Sequence, residues 1–213
     1  MKQIKNYTLI AVADCTGHGV PGAFMSMLGV AILNDITQRP DINTSAAILN
    51  ELRRQLKQSL QQTGKAGEQQ DGMDIAFCAI NTDTLEMSFS GAHNPCWIFR
   101  SNANTLKDET LPEYFDLPAD KMPVGIFINE RDFTNQTFRL QKGDVVYLFT
   151  DGYNSQFGGD KDHKYKTKHM REFLQSISQK YMHEQHKLLE TDFNTWKGTN
   201  EQTDDVLIIG VRM

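Results

Sequence analysis

Residues 7–23 read Tyr7-Thr8-Leu9-Ile10-Ala11-Val12-Ala13-Asp14-Cys15-Thr16-Gly17-His18-Gly19-Val20-Pro21-Gly22-Ala23, and the reading of the whole chain turns on them. Residues 7–13 form a short, apolar, β-favouring run with the length of a buried strand, and the run stops at a carboxylate, Asp14. Three glycines, Gly17, Gly19 and Gly22, then surround His18 in a tight turn. Pro21 suits the first turn of a helix that Ala23, Phe24, Met25, Met27 and Leu28 carry on toward Ile36. The pattern is strand, loop, helix, with an acidic side chain delivered where the strand ends.

Downstream, Ile48, Leu49, Leu52, Leu56 and Leu60 recur at helical spacing, which predicts an amphipathic helix over 44–62 with Thr44 or Ser45 as its cap. Residues 63–72 are polar with three glycines and read as a surface loop. Residues 73–81, 86–90 and 95–100 look like consecutive strands of an antiparallel meander, and residues 133–140 alternate in the same manner. After a turn at Lys142-Gly143-Asp144, residues 145–150 form a second apolar strand ending in a carboxylate, Asp151. Apolar spacing across 168–197 predicts two helices, with Gly198 as the stop, while residues 161–168 read as a solvated lysine-rich loop. Finally Thr203-Asp204-Asp205 precedes a closing strand over 206–211, so its carboxylates stand at the strand's beginning.

The chain has 213 residues, 39% of them apolar, enough for one substantial core, and the expectation is a single domain over 1–213. A net charge of -5 with scattered basic residues gives no footprint for a phosphate backbone, so nucleic acid is not an expected partner. The three cysteines, Cys15, Cys78 and Cys96, are far apart and form no CxxC pair, which argues against a disulfide framework or a thiolate zinc site and fits a reducing cytoplasm. No apolar run reaches the roughly 20 residues a bilayer span needs, so no direct membrane contact is expected of this domain, although a parent protein has room for an anchor.

Two strands end in Asp14 and Asp151 and a third begins with Asp204, so antiparallel pairing would bring three carboxylates to one sheet edge. Like charges so placed resist joint ionisation unless a cation offsets them, and oxygen-only ligands favour Mg²⁺ or Mn²⁺. Two such ions about 3.5–4 Å apart suit phosphoester hydrolysis by an activated water, with no side-chain nucleophile. The competing reading of any single strand-end aspartate is a turn former or helix cap. Cys15 has no basic partner at a recognisable spacing to make it a nucleophile, and the cluster Phe24, Met25, Met27 and Leu28 reads as core.

The segment from Asp14 to Ala23 resembles the D-x-x-G-H-G-x-x-A motif of SpoIIE-like phosphatases of the PPM (protein phosphatase 2C) superfamily. Further segments resemble that family in the same order: Asp71-Gly72-Met73-Asp74, Gly91-Ala92-His93-Asn94-Pro95, Pro123-Val124-Gly125, Gly143-Asp144, Phe149-Thr150-Asp151-Gly152 and Thr203-Asp204-Asp205-Val206. The resemblance implies an α+β fold, a four-layer α-β-β-α sandwich of two mainly antiparallel sheets flanked by helices. It implies two ions, Mn²⁺ or Mg²⁺, with Asp14 bridging them, Cys15 contributing its backbone carbonyl, and Asp151 and Asp204 as ligands of the other ion. Asp205 ranks below these. His18 resembles the proposed proton donor to the leaving alkoxide, with a purely structural role as the alternative. His93 is a candidate for orienting a loop near the site, against the ordinary reading of a histidine satisfied by local hydrogen bonds.

The implied activity is hydrolysis of phosphoserine or phosphothreonine on a regulatory phosphoprotein, typically an anti-sigma-factor antagonist in bacterial partner switching. The alternative is a catalytically inactive module that binds a phosphoprotein or regulator. Family members ordinarily carry an acidic G-D-x-x-D-type segment before the strand matching residues 7–13, and none precedes Tyr7 here. The expectation is therefore an N-terminally truncated domain with incomplete metal occupancy, an upstream regulatory domain in the parent chain, and a sheet edge that leaves room for a dimer.

Overall fold

The structure is a computed structural model that describes residues 1–39, 44–65, 71–100 and 111–213. In chain order its elements are β1 (Lys2–Ile4), β2 (Tyr7–Cys15), α1 (Gly19–Ile36), α2 (Ser45–Ser59), β3 (Met73–Asn81), β4 (Glu86–Ala92), β5 (Cys96–Arg100), β6 (Glu113–Leu117), β7 (Gln136–Arg139), β8 (Val145–Phe149), α3 (Gly152–Ser155), β9 (Phe157–Gly158), β10 (His163–Lys164), α4 (Thr167–Ile177), α5 (Met182–Lys197) and β11 (Ile208–Arg212). This is a mixed α+β chain of antiparallel sheets and helices. It divides into two units, Met1–Cys96 with Leu117–Arg139, and Trp97–Asp116 with Leu140–Met213.

The first unit carries a five-stranded sheet in the order β1-β2-β3-β4-β7, antiparallel at every pairing. Its longest ladder joins β2 to β3 over nine residues, from Tyr7 opposite Asn81 to Cys15 opposite Met73. Side chains from α1 and α2, among them Met25, Ile32, Ile36, Leu49, Leu52 and Leu56, form a core with Ile75, Phe77, Val124 and Phe133. The α2 stripe is the amphipathic pattern of the sequence, and Thr44 caps it by accepting from the Ala47 N–H at 3.2 Å. Arg53 lies buried on that helix because its guanidinium donates to Arg131 O at 2.7 Å and Asn50 Oδ1 at 3.1 Å and stacks on Phe133.

The strand β1 precedes Tyr7 and pairs with β2 from Ile4 opposite Tyr7 to Lys2 opposite Leu9. The α1 helix, 18 residues at mean hydropathy 1.4, is long and apolar enough by length and composition to cross a membrane. Here Gly22, Met25, Gly29, Ile32 and Ile36 form its buried face. The same helix overturns the reading of Phe24 and Met27 as core, for they are 68% and 69% exposed on the opposite side. An apolar run without helical alternation does not reveal which face is covered.

The second unit holds a four-stranded sheet in the order β11-β8-β5-β6, so the expected β3-β4-β5 meander breaks between β4 and β5. Strands β8 and β11 pair antiparallel from Phe149 opposite Ile208 to Val145 opposite Arg212. Trp97, Phe99, Tyr147, Phe149 and Tyr153 pack with Met170, Leu174 and Ile177 of α4 and Phe193 of α5. The two helices expected across 168–197 are present, and Gly198, with φ 56°, ends α5 by donating its N–H to Asn194 O. The solvated segment expected over 161–168 is largely exposed and contains β10, which pairs with β9, and the start of α4.

Asp144, from the Gly143-Asp144 turn, is 1% exposed and accepts from Arg100 Nε at 3.0 Å, Arg100 Nη2 at 2.8 Å and Gln141 N–H at 2.8 Å. A carboxylate this buried is held by all three donors, and removing it takes from the Arg100 guanidinium its two-point hydrogen-bonded carboxylate partner. Asp144→Ala is therefore expected to lower unfolding stability by about 3 kcal/mol, read from the shift of a urea transition at pH 7. A shift below about 1 kcal/mol would show that the pair does not hold β5 to this turn.

Candidate active site

In the first unit Asp14 stands near the end of β2, half-buried, with Asp74 of β3 as its ladder partner. The two strands are pinned just beyond it: Thr16 N–H donates to Gly72 O at 3.0 Å, and Gly72 N–H donates to Thr16 Oγ1 at 3.3 Å. The glycines around His18 have a backbone reason, since Gly17 and Gly19 take φ of 96° and 64° and a Cβ on Gly22 would stand 2.6 Å from Gly17 O. His18 is the residue before α1, exposed, and its side chain makes no capping hydrogen bond.

Cys15 follows Asp14 and is half-buried. Burial pushes its thiol above the ordinary range and the Asp14 charge adds to that, while a hydrogen bond with Ser26 opposes it. The sulfur therefore stays protonated at neutral pH, as a residue offering only its backbone would. Cys78 is driven further, to about 12, by complete burial.

A dyad that the sequence reading missed lies on the same sheet edge. His93 Nδ1 is 2.8 Å from Asp74 Oδ1, and both side chains are part-exposed. Spacing alone gave no signal for it, because Asp74 and His93 meet only through the registers of β2, β3 and β4.

In the second unit Asp151 follows the end of β8 at Phe149, and Asp204 lies in the segment that leads into β11 at Ile208. Thr150 organises the junction: its N–H donates to Leu207 O at 3.0 Å, its hydroxyl donates to Asp205 O at 3.0 Å, and Leu207 N–H is 3.1 Å from the same hydroxyl oxygen, which accepts from it. This side-chain bridge stands in for a ladder, which is why β11 begins at Ile208 rather than at the expected residue 206. Gly152 permits the approach, for a Cβ there would stand 2.3 Å from Asp205 O. Ligand oxygens of Asp151 and Asp204 come within 4.8 Å of each other. Asp151 accepts from the Ser155 hydroxyl at 3.3 Å and Asp204 Oδ1 from the Asp205 N–H at 2.8 Å. Among the described residues neither has a basic partner, so the pair suits a cation held by oxygen ligands.

Comparison with known proteins places this architecture. The family described as stage II sporulation protein E (SpoIIE) matches residues 5–213. Phosphoserine phosphatase RsbU of Bacillus subtilis (strain 168) is 28% identical over 145 residues, which are 67% of this chain and 38% of RsbU. The chain thus spans about two-fifths of that relative's length. Among solved structures, the SiaA-PP2C domain of Pseudomonas aeruginosa superposes with a TM-score of 0.84 at 24% identity, covering 100% of this chain and 78% of that one. RsbX in complex with magnesium superposes at 0.59 and 16% identity, covering 99% and 83%. These likenesses carry the PP2C fold.

The raised Cys15 thiol has a measurable consequence. In metal-free protein at pH 7, alkylation of Cys15 by iodoacetamide, followed by mass spectrometry, is expected to run slower than that of an unstructured cysteine peptide. Asp14→Asn should speed it, because one of the charges opposing the thiolate is gone. Alkylation faster than the peptide would mean a thiolate, and would reopen nucleophilic chemistry at this residue.

Proposed function

Since the chain belongs to the SpoIIE family, matched over residues 5–213, we propose that it is a metal-dependent serine/threonine phosphatase domain whose substrate is a regulatory phosphoprotein of the anti-sigma-factor-antagonist kind. The single observation that carries the metal is the Asp151 and Asp204 pair, two carboxylates within 4.8 Å at one sheet edge with no basic partner among the described residues. Asp14 and the Cys15 carbonyl complete the proposed ligand set, on the order of the motifs along the chain. Support for the chemistry comes from a relative named a phosphoserine phosphatase and from a structural neighbour, RsbX, solved with magnesium.

When bound, Mg²⁺ or Mn²⁺ would lower the pKa of a water and polarise a phosphoryl oxygen. The chain's own task is to hold that chemistry still. The ladders of β2 with β3 and β8 with β11 fix the acidic side chains, and the Thr150 bridge with Gly152 keeps Asp204 against Asp151. The protonated Cys15 sulfur takes no covalent part.

The test is Mn²⁺- or Mg²⁺-dependent hydrolysis of a phosphoserine peptide by the chain and by its Asp151→Asn and Asp14→Asn variants. Each substitution is expected to cut turnover by more than about 100-fold, several kcal/mol of lost stabilisation. A second readout needs no turnover: Mn²⁺ should raise the melting temperature of the wild type and raise it less in either variant. Metal stabilisation without turnover would favour the alternative, an inactive module that binds a phosphoprotein. Wild-type rates in the variants would refute the ligand set.

A further inference from the structure

Three strands set Asp14, Asp74 and His93 in one row. Asp14 is opposite Asp74 on β2 and β3, and Ile75 is opposite Ala92 on β3 and β4, so His93, the residue after β4, takes the place beside Asp74. Adjacent strands lie about 4.8 Å apart, which puts His93 roughly 10 Å across the sheet from Asp14. A phosphoseryl group at Asp14 and an imidazole reaching inward fill such a gap.

His93 is held there against its own backbone preference. Its φ of 56° lies in the left-handed region, which disfavours L-residues with a side chain. Three backbone bonds enforce it: His93 N–H donates to Asp120 O at 2.9 Å, Asp120 N–H to Gly91 O at 2.9 Å, and Asn94 N–H to Ala92 O at 2.7 Å. Gly91 makes room, for a Cβ there would stand 2.4 Å from Asn94 O. Local strain persisting under such over-determination is a mark of functional positions. The side chains of His93 and Asp74 are 39% and 41% exposed, open to a protein substrate, and the Nδ1 contact with Asp74 leaves Nε2 without a partner among the described residues. The adjacent Asn94 is buried, and its Nδ2 also lacks one.

The geometry points to His93 as the proton donor to the leaving seryl or threonyl oxygen, with Asp74 as its positioning residue. This rests on the phosphatase reading above. Water forms the new P–O bond as the ester P–O bond breaks, the electron pair goes to the serine oxygen, and that oxygen takes the proton from His93 Nε2. Nδ1 keeps its proton, hydrogen-bonded to Asp74, so the ring is left as neutral imidazole; the attacking water gives up its surplus proton to solvent, and solvent returns one to Nε2. His18 has no side-chain partner among the described residues, and so nothing that sets its ring as Asp74 sets that of His93.

The experiment compares two esters in Mn²⁺. A seryl alkoxide needs the proton to leave, whereas p-nitrophenolate is stable near neutral pH and does not. His93→Asn tolerates the left-handed backbone and so preserves the turn. It is expected to lower kcat/KM for a phosphoserine peptide at least about 30-fold more than for p-nitrophenyl phosphate, within the usual worth of acid catalysis. Asp74→Asn should split the esters in the same sense by a smaller factor, whereas Asp151→Asn should lose both. Equal losses on the two esters in His93→Asn would make His93 a structural turn residue and overturn the proposal. So would a split that appears in His18→Asn instead. Absence of turnover of either ester by the wild type would fail the phosphatase reading itself, which is a different result.

Discussion

Antiparallel pairing sets the end of one strand beside the start of the next, and both units of this chain use that to gather acidic side chains at a sheet edge. In the first, the nine-residue ladder of β2 and β3 makes Asp14 and Asp74 neighbours. In the second, Asp151 follows β8 and Asp204 stands in the segment before β11, whose ladder opens with Phe149 opposite Ile208. A slip of one residue in either ladder would turn every side chain to the opposite face. Register is therefore what the chemistry depends on, and the cores of the two units, rich in Leu and Ile in one and aromatic in the other, are what fix the register.

The acidic residues fall into two sorts by their partners. Asp144 accepts from Arg100 and Gln141; Asp120 accepts from Arg131 and from the backbone and hydroxyl of Thr134; Asp192 accepts from the hydroxyls of Tyr153 and Tyr165. Glu51, bonded by Arg54, Gln55 and Arg39, has its carboxyl drawn down to about 2. Those carboxylates are structural, each neutralised or hydrogen-bonded by the fold. Among the described residues, Asp151 and Asp204 have one local donor each and one another, a repulsion that folding alone gives no reason to keep.

Much of this was legible in the residues, for physical reasons that differ by position. The strands ending in Asp14 and Asp151 announce themselves because a buried strand is a continuous apolar run, and α2 because one face alone is apolar. The Gly152 after Asp151 and the glycines around His18 are steric necessities that the sequence displays without explaining. The strand β6 and the departure of β5 to another sheet were not legible, because strand partners are chosen by tertiary packing. The exposed side of α1 was hidden by its uniform composition. Asp74 was invisible as a site residue for a related reason: its significance lies in what stands opposite it, and spacing along one chain does not give register.

His93 joins these threads. It sits where β4 ends and the chain leaves for β5, and the left-handed turn that makes this exit possible is the same turn that lays its ring against Asp74. A more regular turn would have let β4 run straight into a hairpin, the meander that the sequence suggests. The bond from His93 N–H to Asp120 O ties that turn to a carboxylate residue which is itself anchored by Arg131 and Thr134. The backbone irregularity that breaks the expected topology is thus also what fixes a titratable side chain in the row of Asp14. Fold and chemistry share one constraint at this point, and changing either means changing both.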